Sequence, residues 1–325
     1  MNEAYQSLQM AVTDPAHVDA VRRAAVREAE AVTSDETLLG RLTVVVQEMA
    51  RNLVNHAGGG ELLVNASPAG ISLLAVDCGP GMTNVAQCLA DSYSTTGTMG
   101  AGLGAIRRMS DTFDLFSQPG MGTVVYAFIA LERIASSGFA SGAVCTPHPS
   151  ETVCGDAWAV KGNRVMICDG LGHGHSAHAA SMLARRLFLD HDPQLHLEQL
   201  LERTHRALTS TRGGAIAFAE ILPDLGQVRF CGAGNIAGVL LGDRSRSMVS
   251  ANGTVGYRIG RIQSFSYPWD RDTLLVMSSD GISGKWGSAT YPGLHGRHPA
   301  IIAALIHRDY KRLNDDATVV VVRSE

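Results

Sequence analysis

A chain of 325 residues with 45% hydrophobic and 18% charged content has the balance of a soluble globular protein and the length for two domains with separate cores. Its net charge of −4 gives no electrostatic reason to expect nucleic acid or an anionic membrane as the main partner. No window approaches the ~20 apolar residues of a bilayer span, and the start MNEAYQSLQM lacks the basic and apolar regions of a signal peptide. The expectation is a cytoplasmic protein with no membrane partner. The cysteines Cys78, Cys88, Cys145, Cys154, Cys168 and Cys231 form no C-x-x-C pair and read as reduced core thiols. The pairs Arg22-Arg23 and Arg185-Arg186 read as solvated helix faces.

In chain order, residues 5 to 12 alternate weakly, as a strand does, and the turn-forming Asp14-Pro15 precedes a helix-spaced apolar pattern from His17. A second helix from about Asp35 should end at Gly58-Gly59-Gly60, since glycine readily terminates a helix. ELLVNAS and ISLLAVD, separated by Pro68 and Gly70, predict a β-hairpin. A short helix over 85–90, a glycine-rich stretch, a helix GAIRRMSDTF and strands around Leu115 and Val125 complete a layered α/β sandwich with helices on one face. The segment ERIASSGFASG is small and polar, so a linker is placed at 134–138, dividing a domain of 1–133 from one of 139–325. The second half reads as strands GDAWAV and RVMICDG, helices over 177–189 and 197–210, then strands AIAFAEIL, QVRFCGA, IAGVLL, DTLLVMSS and ATVVVVR, with helix IIAALIHRDY before the last. Many strands with few helices predict a β-sandwich flanked by helices, for an α+β chain overall.

In the first half, Glu48 stands four residues before Asn52, so a helix puts a carboxylate and an amide on one face. Asp77 closes a strand. Asp77-Cys78-Gly79-Pro80-Gly81-Met82, Gly100-Ala101-Gly102-Leu103-Gly104 and Gly120-Met121-Gly122-Thr123 follow in order, with glycines spaced for turns around a ligand. Over roughly residues 1 to 132 this series resembles the N, G1 and G2 boxes of the GHKL (Bergerat) ATPase superfamily. EMARNLVNHAGGG, DCGPGM and DSYSTTGTMGAGLGAIRRMSDTF look most like the RsbT serine kinases, relatives of the anti-sigma factor kinases RsbW and SpoIIAB.

The resemblance implies ATP with Mg2+. Asn52 would ligate the ion, and Asp77 would accept the adenine amine. Gly79, Gly81 and Met82 would line the nucleotide, Gly100, Gly102, Leu103 and Gly104 would cradle phosphate ahead of a helix, and Thr123 would contact the base region. Glu48 decides between enzyme and binder, because a carboxylate near the γ-phosphate can take the proton of an attacking hydroxyl. The alternative leaves Glu48 balancing Mg2+ or capping the helix, and His56 reads as a structural helix-end residue. No phosphoacceptor helix of the histidine-kinase kind is present in the sequence, so the acceptor is expected on another protein.

In the second half, ETVCGDAWAV, ICDGLGHGHSAHAAS, VMSSDGIS and NDDATVVVVR resemble the SpoIIE/RsbX branch of the PPM-type phosphatases, over roughly residues 138 to 325. The fold implied is an α-β-β-α sandwich. Asp156, Asp169, Asp280 and Asp315, with the Gly170 carbonyl, form a hard oxygen set for two Mn2+ or Mg2+ ions, Asp169 being shared and Asp316 orienting Asp315. His173, His175 and His178 could suggest zinc, but fit a helix start better, with His173 positioning substrate. As in that compact branch, no arginine near the start of this half takes a substrate-phosphate role. Together the resemblances imply a regulator that phosphorylates a serine or threonine on a STAS-domain antagonist or stressosome-type protein, a regulator of a sigma factor among the candidates, and that also removes phosphate. The alternative is an ATP-gated anti-sigma or partner-binding module fused to a phosphatase.

Overall fold

The protein is described by a computed structural model covering residues 6–89, 102–131 and 138–325. The chain divides into two compact units, Met1–Ala135 and Ser136–Glu325. Most of the linker expected at 134–138 lies outside the described residues.

The first unit is punctuated as its sequence predicts. Strand β1 (Leu8–Val12) leads to α1 (Pro15–Glu30), which Asp14 caps by accepting the Ala16 N–H at 2.8 Å. Helix α2 (Glu36–Ala57) is capped by Asp35 and stopped by Gly58 at φ 72°, a left-handed conformation that favours glycine. The hairpin β2 (Gly60–Ser67) and β3 (Gly70–Val76) follows, then α3 (Val85–Leu89), α4 (Gly102–Met109), β4 (Thr112–Ser117) and β5 (Thr123–Ala130). The sheet order is β1-β2-β3-β5-β4, antiparallel throughout. Leu42, Val45, Val46, Met49 and Leu53 of α2 are buried in a core shared with Leu62, Leu73 and Val125 of the sheet. This burial turns the opposite side of α2, with Glu48 and Asn52, toward a cleft.

The helix expected through Phe113 ends earlier. Thr112 and Phe113 instead pair with Phe128 and Ala127, because a sheet edge was available and both residue types favour strands. Asp111 holds the corner, its Oδ2 accepting from Arg41 Nη2 and from the Ala130 N–H, each at 2.9 Å.

The second unit stacks two five-stranded antiparallel sheets. Its elements in order are β6 (Phe139–Thr146), β7 (Asp156–Lys161), β8 (Arg164–Gly170), α5 (His175–Leu189), α6 (Leu197–Ala207), β9 (Gly214–Leu222), β10 (Gln227–Ala233) and β11 (Ala237–Leu241). The short strands β12 (Arg246–Ser247), β13 (Gly253–Thr254), β14 (Arg258–Ile259) and β15 (Phe265–Pro268) precede β16 (Leu274–Ser278), α7 (Pro299–Tyr310) and β17 (Ala317–Ser324). The sheets run β15-β10-β9-β8-β7 and β12-β11-β16-β17-β6. Val165, Ile167 and Phe230 of the first meet Leu275, Met277 and Val320 of the second in one core. Helices α5 and α6 cover the outer face of the first sheet through Ala184, Phe188, Leu200 and Leu201, and α7 lies on β6 and β17. The layering is α-β-β-α.

Three readings are corrected. Strand β6 (FASGAVCT) is absent from the sequence reading, because its start belongs to the small, polar stretch ERIASSGFASG, yet it forms eight register pairs with β17. Arg185 is buried rather than solvated, its Nε donating to the Trp158 carbonyl at 3.0 Å and tying α5 to β7. Cys78 is exposed, Cys88 is half-buried, and only Cys145, Cys154, Cys168 and Cys231 are core thiols. Among the described residues, no helix is long and apolar enough to cross a membrane.

Candidate functional site

In the first unit a cleft of about 1040 Å³ is lined by Glu48, Asn52, Asp77, Gly81, Met82, Gly102, Leu103 and Thr123. Eight residues read as nucleotide-binding or catalytic are thus brought to one place. Gly104 follows in α4, Gly79 adjoins the cleft beside Asp77, and Gly100 lies outside the described residues. At the head of α4, a Cβ on Gly102 would stand 3.3 Å from Asn52 Oδ1 and 3.4 Å from Glu48 Oε2, so the carboxylate, the amide and the start of the helix share one small space. Arg51 reaches back to Glu48, Nη1 to Oε1 at 2.8 Å.

Across the cleft Asp77 is held by the backbone. Its Oδ1 accepts the N–H groups of Gly79 at 2.8 Å and Thr123 at 3.0 Å. Gly81 has φ 70°, and a Cβ there would fall 1.9 Å from the Gln118 carbonyl oxygen. The sequence reading missed Ser117. Its Oγ accepts the Met82 N–H at 2.9 Å and lies 2.9 Å from Thr123 Oγ1, pinning two cleft-lining segments together. No pattern in the sequence marks it. His56 also lines the cleft, exposed in the last turn of α2.

In the second unit, Asp156 opens β7 and Asp169 stands directly opposite near the end of β8. Asp280 follows β16 by two residues and Asp315 precedes β17 by two, so strand ends gather all four. Burial, above all, pushes the Asp156 carboxyl up to about 7 and Asp169 up to about 9, and the neighbouring carboxylates add to both. Asp280 adjoins both Asp169 and Asp315, and the Asp315 carboxyl is also raised, first by burial and then by Asp280. Among the described residues no group of three or more His, Cys, Asp or Glu side chains already closes at coordination distance. The carboxylates meet instead as a chain of neighbours.

These residues fit divalent cations on an independent observation. Both carboxylate oxygens of Asp156, which is 1% exposed, and Oδ2 of Asp316 are buried without a well-formed hydrogen bond, the Ser279 and Thr318 hydroxyls beside Asp156 offsetting only part of its burial. A carboxylate buried in that way is costly unless a cation compensates it, and hard oxygens select Mg2+ or Mn2+. Asp316 turns inward, its Oδ1 accepting the His148 N–H at 2.9 Å, while its own N–H donates to Asp315 Oδ1 at 3.0 Å. Gly170 packs where a Cβ would meet the Ala177 carbonyl oxygen at 2.2 Å.

The three histidines do not converge. His173 Nδ1 contacts Glu151 Oε1 at 2.7 Å and its ring stacks on His148. His178 Nδ1 contacts the Cys154 carbonyl at 3.0 Å, and His175 is the exposed first residue of α5. Asn235, also missed, donates from Nδ2 to Asp280 Oδ2 at 2.6 Å. Its position just after β10 in GAGN gave no signal until the fold placed it beside Asp280.

Fold and sites define a two-domain phosphoryl-transfer architecture, a histidine-kinase-like ATPase domain followed by a PP2C-type phosphatase domain. Residues 11–128 match the Histidine kinase-like ATPase domain family, and residues 160–325 match the Stage II sporulation protein E (SpoIIE) family. The chain belongs to the SpoIIE family, and its first domain to the family of the RsbT kinases. Serine/threonine-protein kinase RsbT of Bacillus subtilis (strain 168) is 35% identical over 91 residues, covering 27% of this chain and 68% of that protein. A solved structure described as "The bacterial stressosome: a modular system that has been adapted to control secondary messenger signaling" aligns with a TM-score of 0.52 at 24% identity, covering 57% of this chain and 99% of the other. The PP2C phosphatase domain and regulatory-domain fragment of SpoIIE from Bacillus subtilis aligns over 96% of each chain at 18% identity, with a TM-score of 0.48.

Proposed function

We propose that the chain is a bifunctional, cytoplasmic partner-switching regulator that phosphorylates a serine or threonine on a STAS-domain partner and removes phosphate from the same or a related partner. The observation that carries the reading is the presence, in one chain, of two chemically complementary sites. Glu48 and Asn52 meet the start of α4 in a cleft facing Asp77, and a separate set of carboxylates crowds together around buried Asp156. The similarity of the first domain to RsbT supports a serine kinase within a stressosome-type or sigma-factor-regulating module.

In the kinase domain, Asp77 Oδ1 is committed to two backbone N–H groups, which fixes the carboxyl that accepts the adenine amine. Asn52 offers its amide oxygen to Mg2+ and the nucleotide phosphates. Gly102, Leu103 and Gly104 bring the start of α4 toward those phosphates, with Gly100 read into the same cradle. Glu48 takes the proton of the acceptor hydroxyl as the γ-phosphoryl passes to it.

In the phosphatase domain, Asp156, Asp169, Asp280, Asp315 and the Gly170 carbonyl hold the divalent cations, with Asp169 shared. Such cations, when bound, acidify water and neutralise charge on a transferring phosphoryl group. Asp316 and Asn235 orient Asp315 and Asp280.

The test is transfer of labelled γ-phosphate from ATP to STAS proteins by Asp169→Asn protein, which keeps the kinase site intact. Accumulating phosphoserine or phosphothreonine is the expected result, and absence of label on every partner that binds would overturn the kinase half. One observation favours a second reading, in which the first domain only binds ATP and gates a partner: Arg51 occupies Glu48 Oε1 at 2.8 Å. Retained partner control in Glu48→Gln protein would support that reading.

A further inference from the structure

The carboxylate cluster presents a problem for its own substrate. A phosphomonoester carries close to two negative charges at neutral pH, and a cationic side chain at the rim would add to what bound metal ions neutralise and orient the ester. The turn before β9 carries Arg212. Its backbone is tied to the segment that follows β8: the Leu171 N–H donates to the Gly213 carbonyl at 2.9 Å, and Gly214 and Ala215 pair with Gly170 and Asp169.

The turn is rigid. Gly213 has φ 72°, and a Cβ there would come within 2.2 Å of the Val255 carbonyl oxygen. Thr211 Oγ1 accepts the Gly213 N–H at 3.0 Å and donates to the Leu208 carbonyl at 2.7 Å. Arg212, between them, is exposed, and its Nη1 lies 3.3 Å from where a Cβ on Gly172 would stand. The missing side chain at Gly172 leaves the guanidinium room to lie across the loop that joins Asp169-Gly170 to His173.

Among the described residues, Arg212 makes no hydrogen bond or ion pair. The nearby Glu151 is engaged with His173. A guanidinium carried on a rigid turn beside the loop that follows Asp169-Gly170, with its donors uncommitted, suits bidentate recognition of phosphoryl oxygens.

We propose that Arg212 is the phosphate-recognition residue of the phosphatase domain, holding the phosphoryl oxygens of a phosphoserine or phosphothreonine ester at the rim of the carboxylate cluster. The proposal rests on the phosphatase reading above. It assigns a role that motif comparison left empty, because Arg212 comes from a turn distant in sequence from Asp156 and joins the site only through pairing of β8 with β9.

The test uses the full-length, Mn2+-loaded protein, with p-nitrophenyl phosphate as substrate and inorganic phosphate as inhibitor. Arg212→Ala should raise KM and the phosphate inhibition constant by roughly tenfold or more, with a smaller change in kcat, and Arg212→Lys should recover part of the loss. Mn2+ affinity and thermal midpoint should stay at wild-type values, as they would for an exposed side chain acting on substrate. Unchanged KM and phosphate inhibition, or a parallel loss of Mn2+ affinity, would overturn the assignment. A wild-type protein that hydrolyses nothing would sink the phosphatase reading instead. Equilibrium binding of inorganic phosphate to the loaded protein then decides the role of Arg212 without turnover: weaker binding by Arg212→Ala supports it, and equal binding by wild type and variant removes it.

Discussion

Asp77 and Asp156 are both buried aspartates at strand ends, 8% and 1% exposed, yet the two units hold them in opposite ways. Asp77 has one oxygen satisfied by two backbone N–H groups, so the first unit arrives with the carboxyl that lines its cleft already fixed. Asp156 has no backbone N–H on either oxygen, only the Ser279 and Thr318 hydroxyls nearby, and is crowded by other carboxylates, so the second unit carries an electrostatic deficit that a cation or a proton relieves. Preorganisation by hydrogen bonds suits recognition of a neutral base edge. An unsatisfied acidic cluster suits ions that must bind before chemistry begins.

The largest effect that would sharpen this contrast is on phosphotransfer. Glu48→Gln should cut it by roughly 10²–10⁴-fold while leaving ATP affinity within a few-fold, measured with a fluorescent nucleotide; full activity in this variant would remove Glu48 as the base. Next, Asn235→Ala frees Asp280 Oδ2 from its 2.6 Å contact and should weaken Mn2+ binding by roughly 10–100-fold by calorimetry. Nucleotide binding in the other domain should not change, and an equal loss there would break the comparison.

The third effect is on pH dependence. Asp156 and Asp169 have folded values near 7 and 9, above the ordinary 3.8, so the native metal-free protein holds protons that the unfolded chain has released. Their contribution therefore becomes more unfavourable as pH rises from about 4 through 7 to 9, and Mn2+ should raise the thermal midpoint most at the alkaline end. A stabilisation by Mn2+ that is flat with pH would contradict the deficit. The smallest effect belongs to Ser117→Ala, which leaves the Met82 N–H without its 2.9 Å partner and should cost about 1 kcal/mol in urea unfolding, with a several-fold loss of ATP affinity.

Much of the framework was legible where one residue type has one physical job. Asp35 and Gly58 bracket α2 in sequence as in structure, and the aspartates beside apolar strand runs gather at strand ends. Other features were hidden because their meaning comes from pairing across the fold. Asn235 and Ser117 stand alone until the fold brings them onto Asp280 and Met82, and Arg212 until β8–β9 pairing brings it against the Gly172 loop. Strand β6 escaped because its stretch Ala140–Ala143 is small and low in β propensity, and the eight pairs with β17 supply the order that propensity does not. Arg185 looked solvated because helix periodicity alone cannot reveal a carbonyl acceptor on the neighbouring sheet.

Helix α2 sets a length standard for the first domain. Both of its ends are pinned, by the Asp35 cap and by left-handed Gly58, and its buried row from Leu38 to Leu53 is keyed into the sheet. Adding or deleting one residue between those pins would rotate everything beyond it by about 100°. Glu48 and Asn52 would then lose the cleft, or the apolar row would lose the core. Variation in this family should therefore change which side chains α2 carries while keeping its residue count between cap and stop.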